Sequence, residues 1–396
     1  MEGALEARRY EVLQTLGKGG FGTVYRAKLL GDGGFSKQVA LKVLNEDVAG
    51  NADFAKRLRD EARILGLIRH RAIVQVDGLA KLNNRWTVVM EFVDGVDVHA
   101  LFDGGPMPAG PALEIIGEVA SALHAAWHTV GPNGQPLHLL HRDIKPGNVQ
   151  VTAGGEVKLL DFGVARADFE GREAKTRSVR FGSMGYLSPE RFDGEDVPGG
   201  DVYALGILLY EMVLCERLGQ PPFKPAKHAE HVAQKLQKVR NKLGPRGEPV
   251  AVLLGELLAY DPNKRPNARD VERLCAEARS EVRGELLRDW AEKMVPKIKL
   301  RRQKSDATDQ LTGQVLVEGT QALPPGSTLS GTSGVLPAAE ATYALEKPAT
   351  KAASARARGG GIGGWVLFLG GFLAVLGVGT LLLLLFMVVV AILLSL

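Results

Sequence analysis

The stretch His141-Arg142-Asp143-Ile144-Lys145-Pro146-Gly147-Asn148, followed further on by Asp161-Phe162-Gly163, decides how the rest of this chain is read. It gathers carboxylates, an amide, a lysine and an arginine into a short segment. The run between them, Val149 to Leu160, is apolar and strand-like, with a break at Ala153-Gly154-Gly155. That pattern predicts a β-hairpin with Asn148 at its entrance and Asp161 at its exit. A hairpin brings its ends together, so Asp143, Asn148 and Asp161 are expected to converge at one edge. Oxygen ligands that converge in this way suit Mg²⁺, a hard cation usually held by one or two carboxylates together with substrate phosphates. A spare carboxylate can then accept a proton. Each residue taken singly is an ordinary turn former; the joint spacing is what points to phosphoryl transfer.

With these motifs in this order, the chain resembles the eukaryotic-type (Hanks-type) protein kinases, whose signatures are H-R-D-x-x-x-x-N and D-F-G. The resemblance implies an α+β, two-lobed protein-kinase fold, with a small mostly-β N-lobe and a larger mostly-α C-lobe. It makes Asp143 the residue that orients the substrate hydroxyl and accepts its proton. Lys145 stands where serine/threonine kinases carry a lysine that neutralises charge on the transferring phosphoryl group. Asn148 and Asp161 would hold the metal, Mg²⁺ with Mn²⁺ as the alternative, bridging the phosphates of ATP.

Upstream, Gly17-Lys18-Gly19-Gly20-Phe21-Gly22-Thr23-Val24 lies between strand-like stretches ending at Leu16 and beginning at Val24. Glycines here let the backbone approach phosphate closely and adopt positive φ. A dinucleotide-binding turn would run from strand into helix; Thr23-Val24-Tyr25 is β-branched and aromatic, so strand follows strand. In Val39-Ala40-Leu41-Lys42-Val43 the lysine interrupts an apolar run. A surface lysine on an edge strand is the ordinary reading; by resemblance Lys42 contacts the α- and β-phosphates and pairs with a helix glutamate. Residues 53 to 68 carry apolar positions at helical spacing, and Glu61 matches the family position, with Asp60 as the local competitor. Trp86 to Val93 reads as a buried strand leading to the hinge between lobes. There Met90 resembles the gatekeeper, and backbone groups of Glu91 and Val93 would bond the adenine edge. Val24 and Ala40 would cover the ring, and Asp97 would bond the ribose hydroxyls. Leu16, Gly17, Lys18, Gly19, Gly20, Phe21 and Gly22 complete the expected nucleotide site.

Downstream, Pro111 to His128 has the apolar spacing of a helix with its face turned inward, and Gly131 to Pro136 reads as an exposed turn-rich loop. Between Asp161 and Glu190 the chain carries Arg166, Arg172, Arg177 and Arg180 beside Thr176 and Ser178. Arg142 precedes the catalytic aspartate, and in the family such an arginine binds a phosphate on the activation segment. A phosphate adds about −1.5 to −2 charge and can order a loop against arginine. Autophosphorylation at Thr176, Ser178 or both is therefore expected. Ser183 takes the family's threonine position near Asp143 and Lys145. Glu190, in Ser188-Pro189-Glu190, is expected to pair with Arg265, and Asp201 to brace the catalytic loop. The resemblance runs from about Tyr10 to Ala276, giving a kinase domain at 10–280.

A basic helical extension is expected over 281–304, with Lys293, Lys297, Lys299, Arg301, Arg302 and Lys304. Residues 305–364 are rich in Ala, Gly, Thr, Ser and Pro, a composition that cannot bury enough apolar surface to offset ordering entropy, and are expected to form a disordered, flexible linker. Trp365 to Leu396 contains no charged residue. As a helix it would be roughly 48 Å long against a hydrocarbon core of ~30 Å, so one transmembrane helix over 365–394 is expected. The start of the chain is charged and lacks the apolar core of a secretory signal. Lys347, Lys351, Arg356 and Arg358 precede the span and no charge follows it, which puts the kinase on the cytoplasmic side of the cell membrane. No domain is expected beyond the membrane, so input would arrive from the cytosolic side or through the span.

The 396 residues leave room for one two-lobed domain plus a tail. The net charge of +4 gives no case for nucleic acid. Cys215 and Cys275 are too few for a disulfide framework. The Ala, Gly and Arg content and the Tyr-Leu-Ser-Pro-Glu variant point to a bacterial kinase. The expected partners are ATP, protein substrates bearing Ser or Thr, the membrane, and a second copy of the chain through small residues in the span. The competing class is a pseudokinase scaffold, against which the complete set Lys42, Glu61, Asp143, Asn148 and Asp161 argues.

Overall fold

Alternation at period two shapes the first lobe. Tyr10, Val12, Tyr25, Ala27, Val39, Leu41 and Val43 sit on alternate positions of their strands and point to one face, where all are at most 4% exposed. The computed structural model describes residues 8–19, 22–45, 62–162, 184–302 and 311–318. These lie in one unit of the chain, Met1–Ser327, while the second unit, Thr328–Leu396, lies outside the described residues. Strands β1 (Arg9–Lys18), β2 (Gly22–Leu30), β3 (Ser36–Leu44), β4 (Val76–Leu82) and β5 (Arg85–Glu91) form an antiparallel sheet. The face opposite the core carries Val24, Ala40 and Lys42, with Val24 and Lys42 directly paired across β2 and β3. Lys42 thus reaches the cleft because its neighbours Leu41 and Val43 are claimed by the core.

Short strand β6 (Gly95–Asp97) opens the second lobe and pairs with β7 (Val149–Thr152), which pairs in turn with β8 (Val157–Leu159). The expected hairpin is present, its turn closed by Thr152 N–H to Glu156 O (2.9 Å) and by Gly155 at φ +80°. Around it packs a helical body. Helix α1 (Ala109–His128) buries Leu113, Ile116, Val119, Ala120 and Leu123, as its apolar spacing requires. Helix α2 (Pro198–Leu214) is buried continuously from Gly200 to Val213, so it runs through the centre of the lobe. Helices α3 (Pro225–Leu243), α4 (Gly247–Leu257) and α5 (Ala268–Val282) surround it.

The chain after α5 departs from expectation. Helix α6 (Leu287–Arg302) corresponds to the basic extension and buries Leu287, Trp290, Ala291, Val295 and Ile298. The flexible linker expected from residue 305 is interrupted at 311–318. There β9 (Val315–Val317) joins the edge of β1, giving the sheet order β4-β5-β3-β2-β1-β9. Leu316 is 3% exposed in the first lobe's core. The composition of 305–364 as a whole conceals this short alternating segment. Among the described residues no helix is long and apolar enough to cross a membrane; the expected span, 365–394, lies outside them.

Candidate active site

The catalytic segment is fastened from below before any of its side chains meets the cleft. Asp201, 3% exposed at the start of α2, accepts hydrogen bonds from the backbone N–H groups of His141 (2.8 Å) and Arg142 (2.9 Å). It also accepts from Arg191 Nη2 at 2.9 Å. Two backbone donors on one carboxylate fix the turn that Arg142 makes at φ +66°, a conformation costly for a non-glycine residue. This is the bracing role expected of Asp201. His141, fully buried, donates from Nε2 to Leu160 O at 2.8 Å, and its ring lies 4.7 Å from that of Phe162 at a tilt of 53°. Its Nδ1 receives the N–H of Asp143 at 3.3 Å, so the ring serves as donor on one side and acceptor on the other. Burial lowers its pKa, which keeps Nδ1 free to accept.

On this base Asp143, Lys145 and Asn148 come together, and the hairpin's exit lies against its entrance through Leu160 N–H donating to Asn148 O at 2.8 Å. Asp143 Oδ2 lies 2.7 Å from Lys145 Nζ and 3.0 Å from Asn148 Nδ2, which also donates to Asp143 O at 2.7 Å. With the amide nitrogen committed to Asp143, the amide oxygen of Asn148 faces the other way. Asp161, at the hairpin's exit with φ +47°, lies 2.8 Å from Lys42 Nζ through Oδ1. The structure therefore joins Lys42 from the first lobe to Asp161 from the second. Glu61, the partner expected for Lys42, lies outside the described residues. Among the described residues no cluster of three or more His, Cys, Asp or Glu is placed to hold a metal. The amide oxygen of Asn148 and the carboxylate of Asp161 fit a hard divalent cation that takes its remaining ligands from phosphate and water.

Above the polar groups lies an apolar patch. Ala40, Val74 and Met90 are buried together, with Val24, Val88, Val93 and Leu160 packed against them. Of these, Val24, Ala40, Met90 and Val93 are expected from the sequence, whereas Val74, Val88 and Leu160 are not. Leu160 could have been found from its place just before Asp161, since the strand's alternation turns it to the cleft side. At the hinge, Glu91 N–H donates to Gln75 O at 3.0 Å, and its carboxylate accepts from Gln75 N (2.8 Å) and Lys158 Nζ (2.8 Å). These contacts hold Glu91 in the fold through both N–H and side chain.

The glycine-rich turn joins β1 to β2, with Gly19 N–H donating to Gly22 O at 2.8 Å. Gly20 and Phe21 lie outside the described residues, and Leu16, Gly17 and Lys18 end β1. None of Gly17, Gly19 and Gly22 has positive φ, so the conformational reason expected for them does not apply here. For Gly22 the reason is space: a Cβ would sit 2.2 Å from Val43 O. At Gly17 a Cβ would meet nothing within 4 Å, so packing does not require glycine there.

Asp97 caps the one-turn helix Val98–Leu101 by accepting from Ala100 N–H at 2.6 Å, and its other oxygen lies 3.3 Å from Arg302 Nη1. Arg142 pairs through Nε with Asp196. The expected activation segment, with Gly163, Arg166, Arg172, Thr176, Arg177, Ser178, Arg180 and Ser183, lies outside the described residues. Arg265 forms the expected pair with Glu190, bidentate at 2.7 and 2.8 Å, and donates further to Ala259 O, Gly199 O and Tyr260 O.

Residues 10–274 match the protein kinase domain family. Among curated proteins, the chain is 36% identical over 211 residues to the tyrosine-protein kinase MasK of Myxococcus xanthus, covering 51% of this chain and 32% of that protein. It is 34% identical over 274 residues to the serine/threonine-protein kinase pkn2 of Myxococcus xanthus, covering 66% of this chain and 31% of that one. To the serine/threonine-protein kinase PknL of Mycobacterium tuberculosis it is 37% identical over 225 residues, 56% of this chain and 52% of that one. The chain thus spans about a third to a half of the length of these relatives. A crystal structure of the M. tuberculosis PknI kinase domain superposes with a TM-score of 0.50 at 27% identity, over 68% of this chain and 96% of that one.

Proposed function

The chain belongs to the protein kinase family, and from that membership we propose that it is a serine/threonine protein kinase moving the γ-phosphoryl group of ATP to protein hydroxyls. One observation carries the proposal: Asp143, Lys145 and Asn148 form a single hydrogen-bonded cluster at the edge where Lys42 meets Asp161. Asp143 would accept the proton of the acceptor hydroxyl. Lys145, already within hydrogen-bond distance of that carboxylate, would balance the charge that develops on the transferring group. The patch of Val24, Ala40, Val74, Met90 and Leu160 offers an apolar slot for adenine. Mg²⁺ held by Asn148 and Asp161 would neutralise the phosphates when bound.

Lys145 supports Ser/Thr as acceptors. A tyrosine-protein kinase among the relatives makes the acceptor a matter for measurement. Purified full-length chain with ATP·Mg²⁺ and a generic protein substrate, beside Asp143→Asn, tests the enzyme; phosphoamino-acid analysis tests the acceptor. Phosphotyrosine alone would overturn the assignment, and no transfer to itself or to any substrate would leave the pseudokinase scaffold as the reading.

Control and location belong to the same proposal. Arg142 is paired with Asp196, and a phosphate on Thr176 or Ser178 would compete for it with greater charge. Mass spectrometry of active chain that finds both residues unmodified ends that idea. The uncharged run Trp365 to Leu396 and the lysines and arginines before it support a single-pass anchor in the cell membrane with the kinase on the cytoplasmic side. Dimerisation through Gly370, Gly371, Gly377 and Gly379 is the corresponding proposal for self-association. Fractionation of cells expressing the chain with and without 365–394 tests the anchor.

A further inference from the structure

The segment that follows the last helix of the kinase domain is attached at both lobes and passes the hinge between them. At its start α6 is part of the second lobe's core, with Ala291 and Val295 fully buried. Domain glycines are shaped around it: a Cβ on Gly155 would lie 2.7 Å from Arg288 Cα, and one on Gly104 would lie 2.7 Å from Met294 Cε. The last turn of α6 reaches the hinge, where Lys299 Nζ lies 2.5 Å from Asp94 Oδ1 and Arg302 Nη1 lies 3.3 Å from Asp97 Oδ2. Residues 303–310 lie outside the described residues. From Leu311 the chain is attached to the first lobe. Gly313 N–H donates to Val12 O (2.9 Å), Val12 N–H to Gln314 O (2.9 Å) and Glu318 N–H to Arg8 O (3.0 Å), while Leu316 is buried beside Tyr10 and Val12.

Asp97 gives this attachment its consequence. One of its oxygens caps Ala100 N–H, and the other, Oδ2, is the one that Arg302 approaches. If the cleft binds nucleotide as proposed above, on which this inference rests, ribose hydroxyls bonded to Asp97 and the Arg302 guanidinium draw on the same carboxylate. We infer that α6 and the segment 311–318, one docked on each lobe, act as a strap, and that Arg302 at the end of α6 competes with the ribose of the bound nucleotide for Asp97. The strap thereby sets nucleotide affinity from outside the kinase domain. Arg302 is 45% exposed and Asp97 27%, so the competition is modest in size and weakens with salt.

The test compares ATP with 2′,3′-dideoxy-ATP, which lacks the hydroxyls, for binding to the full-length chain and to Arg302→Ala. Arg302 lies at the surface, so its removal leaves the fold in place. The expected result is tighter binding of ATP by about two- to fivefold and no change for the dideoxy nucleotide. An equal change for both nucleotides, or none for either, overturns the competition while leaving the kinase assignment standing. A chain that binds neither nucleotide overturns both. Hydrogen exchange reads the attachment without any activity: the amides of Val12, Gly313 and Glu318 are expected to be protected in the parent chain and released together in Leu316→Asp. Unprotected amides in the parent chain would show that the strap is not docked.

Discussion

Asp143 is held from three sides, by Lys145, by Asn148 and through its own N–H by His141, so its carboxylate cannot turn away from the cleft. General-base assistance of this kind is typically worth ~10²–10⁴ in rate. Asp143→Asn is therefore expected to lower transfer by about that factor with nucleotide binding retained, as single-turnover assays and equilibrium binding would show. Asp201 never meets substrate, yet its carboxylate fixes the backbone of His141 and Arg142. Asp201→Asn keeps an acceptor but loses the charge and one backbone bond. The expected outcome is a fall in kcat with KM for ATP nearly unchanged; a change confined to KM would contradict a positioning role.

Among elements, the packing of α2 on α3 depends on neutral histidine. His228 is buried, receives the Tyr203 hydroxyl at 3.0 Å and meets the Tyr260 ring, while the Arg265 guanidinium lies over the Tyr203 ring and His231 adds a second nearby charge. Burial and then the Arg265 charge push its pKa down to about 4. In the unfolded chain the group titrates near 6.5. Between those values the unfolded state binds a proton that the folded state refuses, so stability falls as pH drops from about 6.5 toward 4. Urea denaturation across this range is expected to show the loss, and His228→Gln to flatten it. The pair Glu190–Arg265 ties the one-turn helix Pro189–Phe192 to the turn before α5, with side chains at most 6% exposed. Removing one member of such a pair strands a buried charge, and Glu190→Ala is expected to cost about 3–5 kcal/mol in the same denaturation experiment.

At the scale of the whole molecule, the strap changes where the folded unit ends. A chain cut after Arg302 loses β9, exposing the edge of β1 and the apolar surface that Leu316 covers. Burial of one leucine is worth about 1.5–3 kcal/mol, and an uncovered strand edge invites association. A chain ending at Glu318 is accordingly expected to melt several degrees higher than one ending at Arg302, and to aggregate less, by calorimetry and light scattering. Equal melting temperatures would mean that β9 contributes nothing to the fold.

The catalytic cluster, the cleft-facing lysine, the buried Glu190–Arg265 pair and the bracing aspartate were all legible in the sequence. The cluster of Asp143, Lys145 and Asn148 follows from residue type at short spacing, and Lys42 faces the cleft because Leu41 and Val43 face the core, whereas the Glu190–Arg265 pair and the brace at Asp201 were implied only by the family resemblance. The reason for Gly22 was not legible, since it is a neighbouring strand's carbonyl oxygen rather than its own φ that requires glycine there. The tertiary structure alone placed Arg302 on Asp97, across 205 residues, and set β9 on the edge of β1. An exposed ion pair leaves no pattern in composition, and strand pairing uses backbone groups that every residue has. The sequence determined which chemistry the cleft can carry, through side chains whose identity is the message; the fold decided what attaches beside that cleft, through contacts for which many side chains would have served.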